Sequence, residues 1–309
     1  MKVKDFKEGD RIEANLLVSS VTKGVTNSGA PYLSLVLQDS SKSIDAKLWD
    51  VKPEIEKAIK QGNIYGFEME INMYRGSIQA KVLNVVPVDS NSVDISEFTS
   101  KSPISKDELM NAYKTAVNSI SNENLAMIVT GLLKRFDNAV YEYPAASKIH
   151  HNFVGGLATH TYGMIKLAKA VSEIYPIVNK DYLMAGVVIH DLGKIEELSS
   201  PFVTEYTVKG KLLGHISILD AIILEVSKEL KLEDSEESTI LRHMVLSHHG
   251  EYEFGSPVRP LTLEAELLTY IDNIDAKINI LDKALDEIQE GEFTQKIFAL
   301  ENRSFYKHK

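Results

Sequence analysis

From Arg11 to Val88 apolar and polar residues alternate. That period of two predicts half-buried strands in RIEANLLVSSVT, PYLSLVLQDS, SIDAKLWD, IYGFEMEINMY and SIQAKVLNVVPV. Asn27-Ser28-Gly29 and Arg75-Gly76 mark turns. A short helical stretch from Pro53 to Lys60 separates the third and fourth strands. From Lys106 onward the apolar residues recur every three or four positions. The spacing predicts helices in LMNAYKTAVNSI, LAMIVTGLLKRF, GLATHTYGMIKLAKAVSEIY, YLMAGVVIHDLGK, LLGHISILDAIILEVSKEL, STILRHMVLSHHG and TLEAELLTYIDNIDAKINILDKALDEI. SSPFVTEYTVKGK, between two of them, is short and β-branched and reads as a small hairpin.

Five strands with a helix after the third is the order of an OB-fold barrel. The segment DSNSVDISEFTSKSPIS is rich in Ser and Asp, contains Pro103, and reads as a linker. The expected architecture is therefore multidomain β + α: a five-stranded OB-fold barrel over residues 1–88, a linker over 89–105, and an all-α bundle over 106–309.

The chain has 309 residues, 44% of them hydrophobic and 25% charged, enough to bury a core in each of two domains. It has no cysteine, which excludes disulfides and thiolate metal sites, so a metal must be held by His, Asp or Glu. The opening MKVKDFKEGDRIEA lacks the apolar core of a signal peptide, and no apolar run is long enough for a bilayer. A soluble, cytoplasmic protein without a membrane partner is the expectation. Net charge is −10 and unevenly placed: residues 1–88 carry 12 basic and 11 acidic residues, the remainder 22 and 33. Phosphate neutralisation drives most nucleic-acid binding, so this balance weighs against such a partner. A local groove or bound divalent cations would offset it.

Eight of the nine histidines fall between His150 and His249. A lone His in an apolar helix is more often a bonded core or surface residue than a ligand. Here His160, His190-Asp191, His215, His248-His249 and Asp272 each sit on a separate predicted helix. The intervals are 30, 24, 33 and 23 residues, and helices of ordinary length can aim such groups at one centre. Imidazole with carboxylate suits Mn, Fe, Co, Ni or Zn. A carboxylate can bridge two ions, and an ion pair about 3.5–4 Å apart suits in-line attack of water on phosphate.

The ordered set H…HD…H…HH…D resembles the HD-domain metal-dependent phosphohydrolases. HHNFVGGLATHT, HDLGK, GKLLGH and SHHGEYEFGSPVRPLTLEAELL extend the resemblance to the YhaM-type 3′–5′ exoribonucleases, which join an N-terminal OB-fold to a C-terminal HD domain. The resemblance implies a first metal site of His160, His190, Asp191 and Asp272. Asp191 would bridge to a second ion held by His215 with His248 or His249. It also implies catalytic roles for Asp191 and for Lys194 as a phosphate-binding point charge; the plainer reading of Lys194 is a solvated helix-end cation. The expected cofactors are two divalent ions, Mn2+ foremost, with Fe2+, Co2+, Ni2+ or Zn2+ accepted by the same donors. Gly156 stands where some HD enzymes place a Glu for a third ion. The Gly-Tyr-Pro signature of the cyclic-dinucleotide subclass is absent from the sequence.

Candidate substrate contacts are His150, His151 and Arg259 near the metal cluster, and Tyr32, Trp49, Tyr74 and Arg75 on the barrel. Phe67 and Trp49 could equally be barrel core. Asp275, three residues after Asp272 and on the same helix face, could orient a ligand His, and the plainer reading is an ordinary helix-face acid; His243 reads as structural and His308 as solvated. The expected activity is hydrolysis of single-stranded RNA, or single-stranded DNA, to nucleoside 5′-monophosphates. The alternatives are an HD phosphohydrolase of small cyclic or triphosphate nucleotides and a single-strand-binding protein with a residual HD domain. A homo-oligomer, with the barrel as its assembly module, stays open.

Overall fold

A computed structural model describes residues 1–26, 28–74, 76–88, 93, 97–99, 102–145, 153–201 and 205–309. It divides into two compact units, Met1–Lys101 and Ser102–Lys309.

The first unit is a closed barrel of β1 (Arg11–Val25), β2 (Pro31–Gln38), β3 (Ser43–Trp49), β4 (Ile64–Tyr74) and β5 (Ser77–Pro87). Its order is β1-β2-β3-β5-β4; β3 and β5 pair in parallel, every other pair antiparallel. Helix α1 (Pro53–Ala58) lies between β3 and β4. Leu33, Leu35 and Leu37 alternate inward on β2, as do Ile44, Ala46 and Leu48 on β3 and Phe67, Met69 and Ile71 on β4. The period of two in the sequence is the pleat of a sheet with one apolar face. The β4–β5 hairpin turns at Gly76, whose φ of +84° favours a residue without a Cβ. Asn27 and Arg75 of the expected turns lie outside the described residues. Phe98 is buried against Leu17 and Ile64, and its carbonyl accepts from Gln38 Nε2 at 3.2 Å.

The second unit holds eight α-helices among the described residues: α2 (Lys106–Asn118), α3 (Glu123–Phe136), α4 (Gly156–Ile174), α5 (Lys180–Ile189), α6 (Lys194–Glu197), α7 (Val208–Glu229), α8 (Glu236–Ser247) and α9 (Leu263–Asp286). Ser105, Asn122, Asn179, Thr207, Ser235 and Thr262 cap six of them by accepting first-turn amides, which fixes where each begins. Leu109, Tyr113, Leu125, Val129, Leu132, Val188, Ile189, Leu219, Ile222, Leu241 and Val245 fill the core between them.

Two details depart from the sequence reading. The expected hairpin reduces to a bridge between Leu198 and Tyr206, with 202–204 outside the described residues. Its last residues are helical instead, because Thr207 caps α7 and starts it at Val208. No helix among the described residues is long and apolar enough to cross a membrane.

Candidate metal centre

The centre gathers on one side chain, Asp191. His190 caps the C-terminus of α5, and Asp191 stands in the turn before α6. His248 likewise caps α8, with His249 in the turn beyond. These pairs therefore sit at helix ends, where each closes an apolar run of the sequence. The reason is local. A C-terminus leaves carbonyls without amide partners, and His190 Nδ1 bonds Val187 O at 2.9 Å while His248 Nδ1 bonds Val245 O at 2.7 Å. A carbonyl only accepts, so each Nδ1 carries the proton and each Nε2 presents a lone pair inward.

The other imidazoles are set the same way. His249 Nδ1 donates to Phe254 O at 2.7 Å. His215 Nδ1 lies 3.2 Å from Glu197 Oε1, which also accepts the His215 amide at 3.0 Å. That amide is available because α7 breaks at Gly214, whose φ of 70° and ψ of 154° suit glycine alone. On α4, His160 Nδ1 lies 2.7 Å from Asp275 Oδ2. Asp275 is thus no ordinary helix-face acid: it stands behind a candidate ligand. Gly163, one turn on from His160, makes room for it, because a Cβ there would overlap the Asp275 carboxylate.

The Nε2 atoms and carboxylates form two triads. His160, His190 and Asp272 bring one ligand atom each within 4.8 Å of one another, as do His215, His248 and His249. Asp191 lies between them: its Oδ2 is 3.3 Å from His190 Nε2, and its Oδ1 is 3.5 Å from His215 Nε2 and 3.7 Å from His248 Nε2. Lys194 Nζ sits on Asp191 Oδ2 at 2.6 Å.

Burial alone would raise the Asp191 carboxyl, but the Lys194 ammonium beside it holds it well below the usual range. Burial likewise opposes the charge on Lys194, and Asp191 outweighs it and raises the amine. Burial works against a charged Asp272 too, yet its bond to His160 keeps it low. Burial disfavours the His160 cation, but the bonds to Asp272 and Asp275 push it up to about 9. His249 goes the other way: burial, then the neighbouring His248, bring it down to about 4. Burial lowers His248 as well. Glu197 is held low against its burial by His215.

Among the described residues, Nε2 of His190, His215 and His248 and Oδ1 of Asp191 are buried without a hydrogen-bond partner. Four orphaned polar atoms around one point are costly unless something satisfies them. All four are acceptors, and lone pairs facing a carboxylate oxygen repel. A cation meets that requirement, and the donor set of imidazole and carboxylate matches a borderline divalent ion. The residues fit the implied metals.

Sequence reasoning missed Glu197, Gly163 and Gly214. For Asp275, the three-residue step from Asp272 placed it on the correct helix face. Arg259 is exposed, pairs with Glu251, and lies over the Tyr252 ring at 5.4 Å. His243 Nε2 accepts from the Leu261 amide at 2.9 Å. On the barrel, Tyr32 and Trp49 face each other across β2 and β3, with ring centroids 4.9 Å apart. Lys47 Nζ lies 4.9 Å from the Tyr32 ring centre. Trp49 and Tyr74 are exposed, while Phe67 is barrel core. His150, His151 and Arg75 lie outside the described residues.

Residues 157–277 match the family model described as HD domain. The barrel is similar to the second OB-fold domain of replication protein A from Methanococcus maripaludis, at 19% identity over 29% of this chain and 95% of that one, with a TM-score of 0.25. It is also similar to PriB from Ralstonia solanacearum, at 12% identity over 26% and 97%, TM-score 0.24. A replication protein A heterotrimer bound to single-stranded DNA matches at 12% identity over 36% of this chain and 29% of that one, TM-score 0.26. The chain thus joins an OB-fold-like barrel to an HD domain carrying the donor set of a metal-dependent phosphohydrolase.

Proposed function

We propose that this protein is a metal-dependent exonuclease that shortens single-stranded RNA from its 3′ end and releases nucleoside 5′-monophosphates. The observation that carries this reading is the Asp191 carboxylate, which turns one oxygen toward each of two ligand triads. His160, His190 and Asp272 would hold one divalent ion, His215, His248 and His249 a second, with Asp191 shared. When bound, such a pair supplies Lewis-acid activation of water and of the phosphate.

The rest of the work belongs to the chain. Five Nδ1 atoms tied to carbonyls and carboxylates fix the imidazole planes before substrate arrives. Lys194 places a positive charge beside the point where phosphate oxygens would be received. Water enters at phosphorus, and the bond to the 3′-oxygen of the penultimate nucleotide breaks. The Tyr32–Trp49 pair with Lys47 supports a role for the barrel in holding a strand, since bases stack on aromatic faces whatever their sequence. The choice of RNA and of the 3′ end follows the resemblance to the YhaM-type exoribonucleases.

The excess of acidic residues beyond residue 88 favours a second reading, hydrolysis of small free nucleotides. One assay separates the two. Single-stranded RNA labelled at its 5′ end, the matching DNA, and free cyclic and triphosphate nucleotides are incubated with the parent protein and with Asp191→Ala. The expected result is a ladder of RNA shortened stepwise from the 3′ end, lost in the variant. Turnover confined to free nucleotides overturns the exonuclease. Undiminished RNA cleavage by an Asp191→Ala protein that has lost its metal overturns the metal mechanism.

A further inference from the structure

The two triads beside Asp191 are not chemically alike. His160, His190 and Asp272 offer two imidazole nitrogens and a carboxylate oxygen, whereas His215, His248 and His249 offer three imidazole nitrogens. With one Asp191 oxygen facing each, the first position has an N2O2 donor set and the second N3O. Charge separates them further. The first includes the Asp272 carboxylate and has Asp275 behind His160 at 2.7 Å. The second consists of imidazoles alone, two of them backed only by carbonyl oxygens, of Val245 and Phe254; Glu197 stands behind the third.

Carboxylate favours harder ions such as Mn2+, and imidazole favours borderline ions such as Zn2+. Zinc outranks manganese at any nitrogen and oxygen site in absolute affinity, so affinity alone assigns nothing. The ratio does. Exchanging an imidazole for a carboxylate narrows zinc's advantage over manganese, so the arrangement of lowest free energy puts zinc at N3O and manganese at N2O2.

We propose that the centre is a mixed pair, with a zinc-class ion at His215, His248 and His249 and a manganese-class ion at His160, His190 and Asp272. This rests on the reading of both triads as ion sites.

The test uses the full-length metal-free protein given one equivalent each of Zn2+ and Mn2+. Anomalous scattering at the two absorption edges then locates each element in the crystal. Zinc at the His215 triad and manganese at the Asp272 triad is the expected result. In solution, competition titrations of His249→Gln and Asp272→Asn give a second readout. His249→Gln is expected to weaken zinc binding by about tenfold or more and to leave manganese nearly unchanged; Asp272→Asn should do the reverse. Zinc at the Asp272 triad, both elements mixed at both positions, or both variants losing the same ion equally overturns the mixed pair alone. A parent protein that binds neither ion overturns the metal centre itself, and this inference with it.

Discussion

Gly163→Ala tests whether the bond behind His160 matters to the centre. On helix propensity the change is favourable, because alanine in a helix interior is about 1 kcal/mol better than glycine. The structure puts a cost against it. A Cβ at 163 would overlap the Asp275 carboxylate, so Asp275 must leave His160 Nδ1, now 2.7 Å away. A hydrogen bond to a charged group contributes about 1.5–3 kcal/mol. That range agrees with the roughly 10–100-fold loss of metal affinity seen when a group behind a ligand histidine is removed, since a factor of ten is about 1.4 kcal/mol. Gly163→Ala should therefore melt at or near the parent temperature and bind Mn2+ about 10–100-fold more weakly in a chelator competition titration. Asp275→Asn, which keeps the shape and a neutral acceptor, should fall between the two. A folded Gly163→Ala protein that holds the ion as tightly as the parent refutes the reasoning.

His160 makes metal uptake depend on pH. Raised from 6.5 to about 9, it is protonated at neutral pH in the metal-free protein, and its Nε2 must lose that proton to become a ligand. Calorimetry at pH 7.5 in buffers of different ionisation enthalpy should show about one proton released at this group per ion bound; no release refutes it. The same shift has a stability consequence. A folded-state value above the unfolded one adds stability that is complete below pH 6.5 and is lost as pH rises through 9. The melting temperature of the metal-free protein should fall across that window and stay level in the metal-loaded form. Lys307 Nζ donates to the carbonyls of Leu285 at 2.7 Å and Ile288 at 3.0 Å, at the C-terminal end of α9. Lys307→Met should lower stability by about 1 kcal/mol, read by urea denaturation with metal content unchanged. On the barrel, Trp49→Ala should weaken binding of single-stranded RNA by about 1–3 kcal/mol in a filter-binding assay at fixed salt. Unchanged affinity there would remove the barrel face from the strand-binding account.

What the sequence disclosed follows from how local each signal is. The five strands stand where the period of two placed them, because in a barrel with one apolar face the pleat and the residue pattern carry the same information. The triads were legible as a set of residue types because metal ligation narrows the choice to imidazole and carboxylate once cysteine is absent. What holds those residues was less legible. His190 and His248 close their apolar runs, but the ring N–H of each turning back to a carbonyl three residues earlier has no signature in the sequence. Glu197 is six residues past Asp191, on the far side of a tight turn, and acts on a histidine eighteen residues further on. Gly214, whose break in α7 frees the His215 amide for Glu197, shows as a glycine in a helical pattern, which alone reads as a tolerated defect. Gly163 and Asp275 are 112 residues apart, and neither explains itself: the glycine is a gap only because the carboxylate fills it. The chemistry of the centre is therefore written in residue types, and its geometry in pairs that only the fold brings together. Substitutions in those pairs should separate metal affinity from fold stability more cleanly than substitutions in the ligands, which remove a donor and leave its neighbours unsatisfied at once.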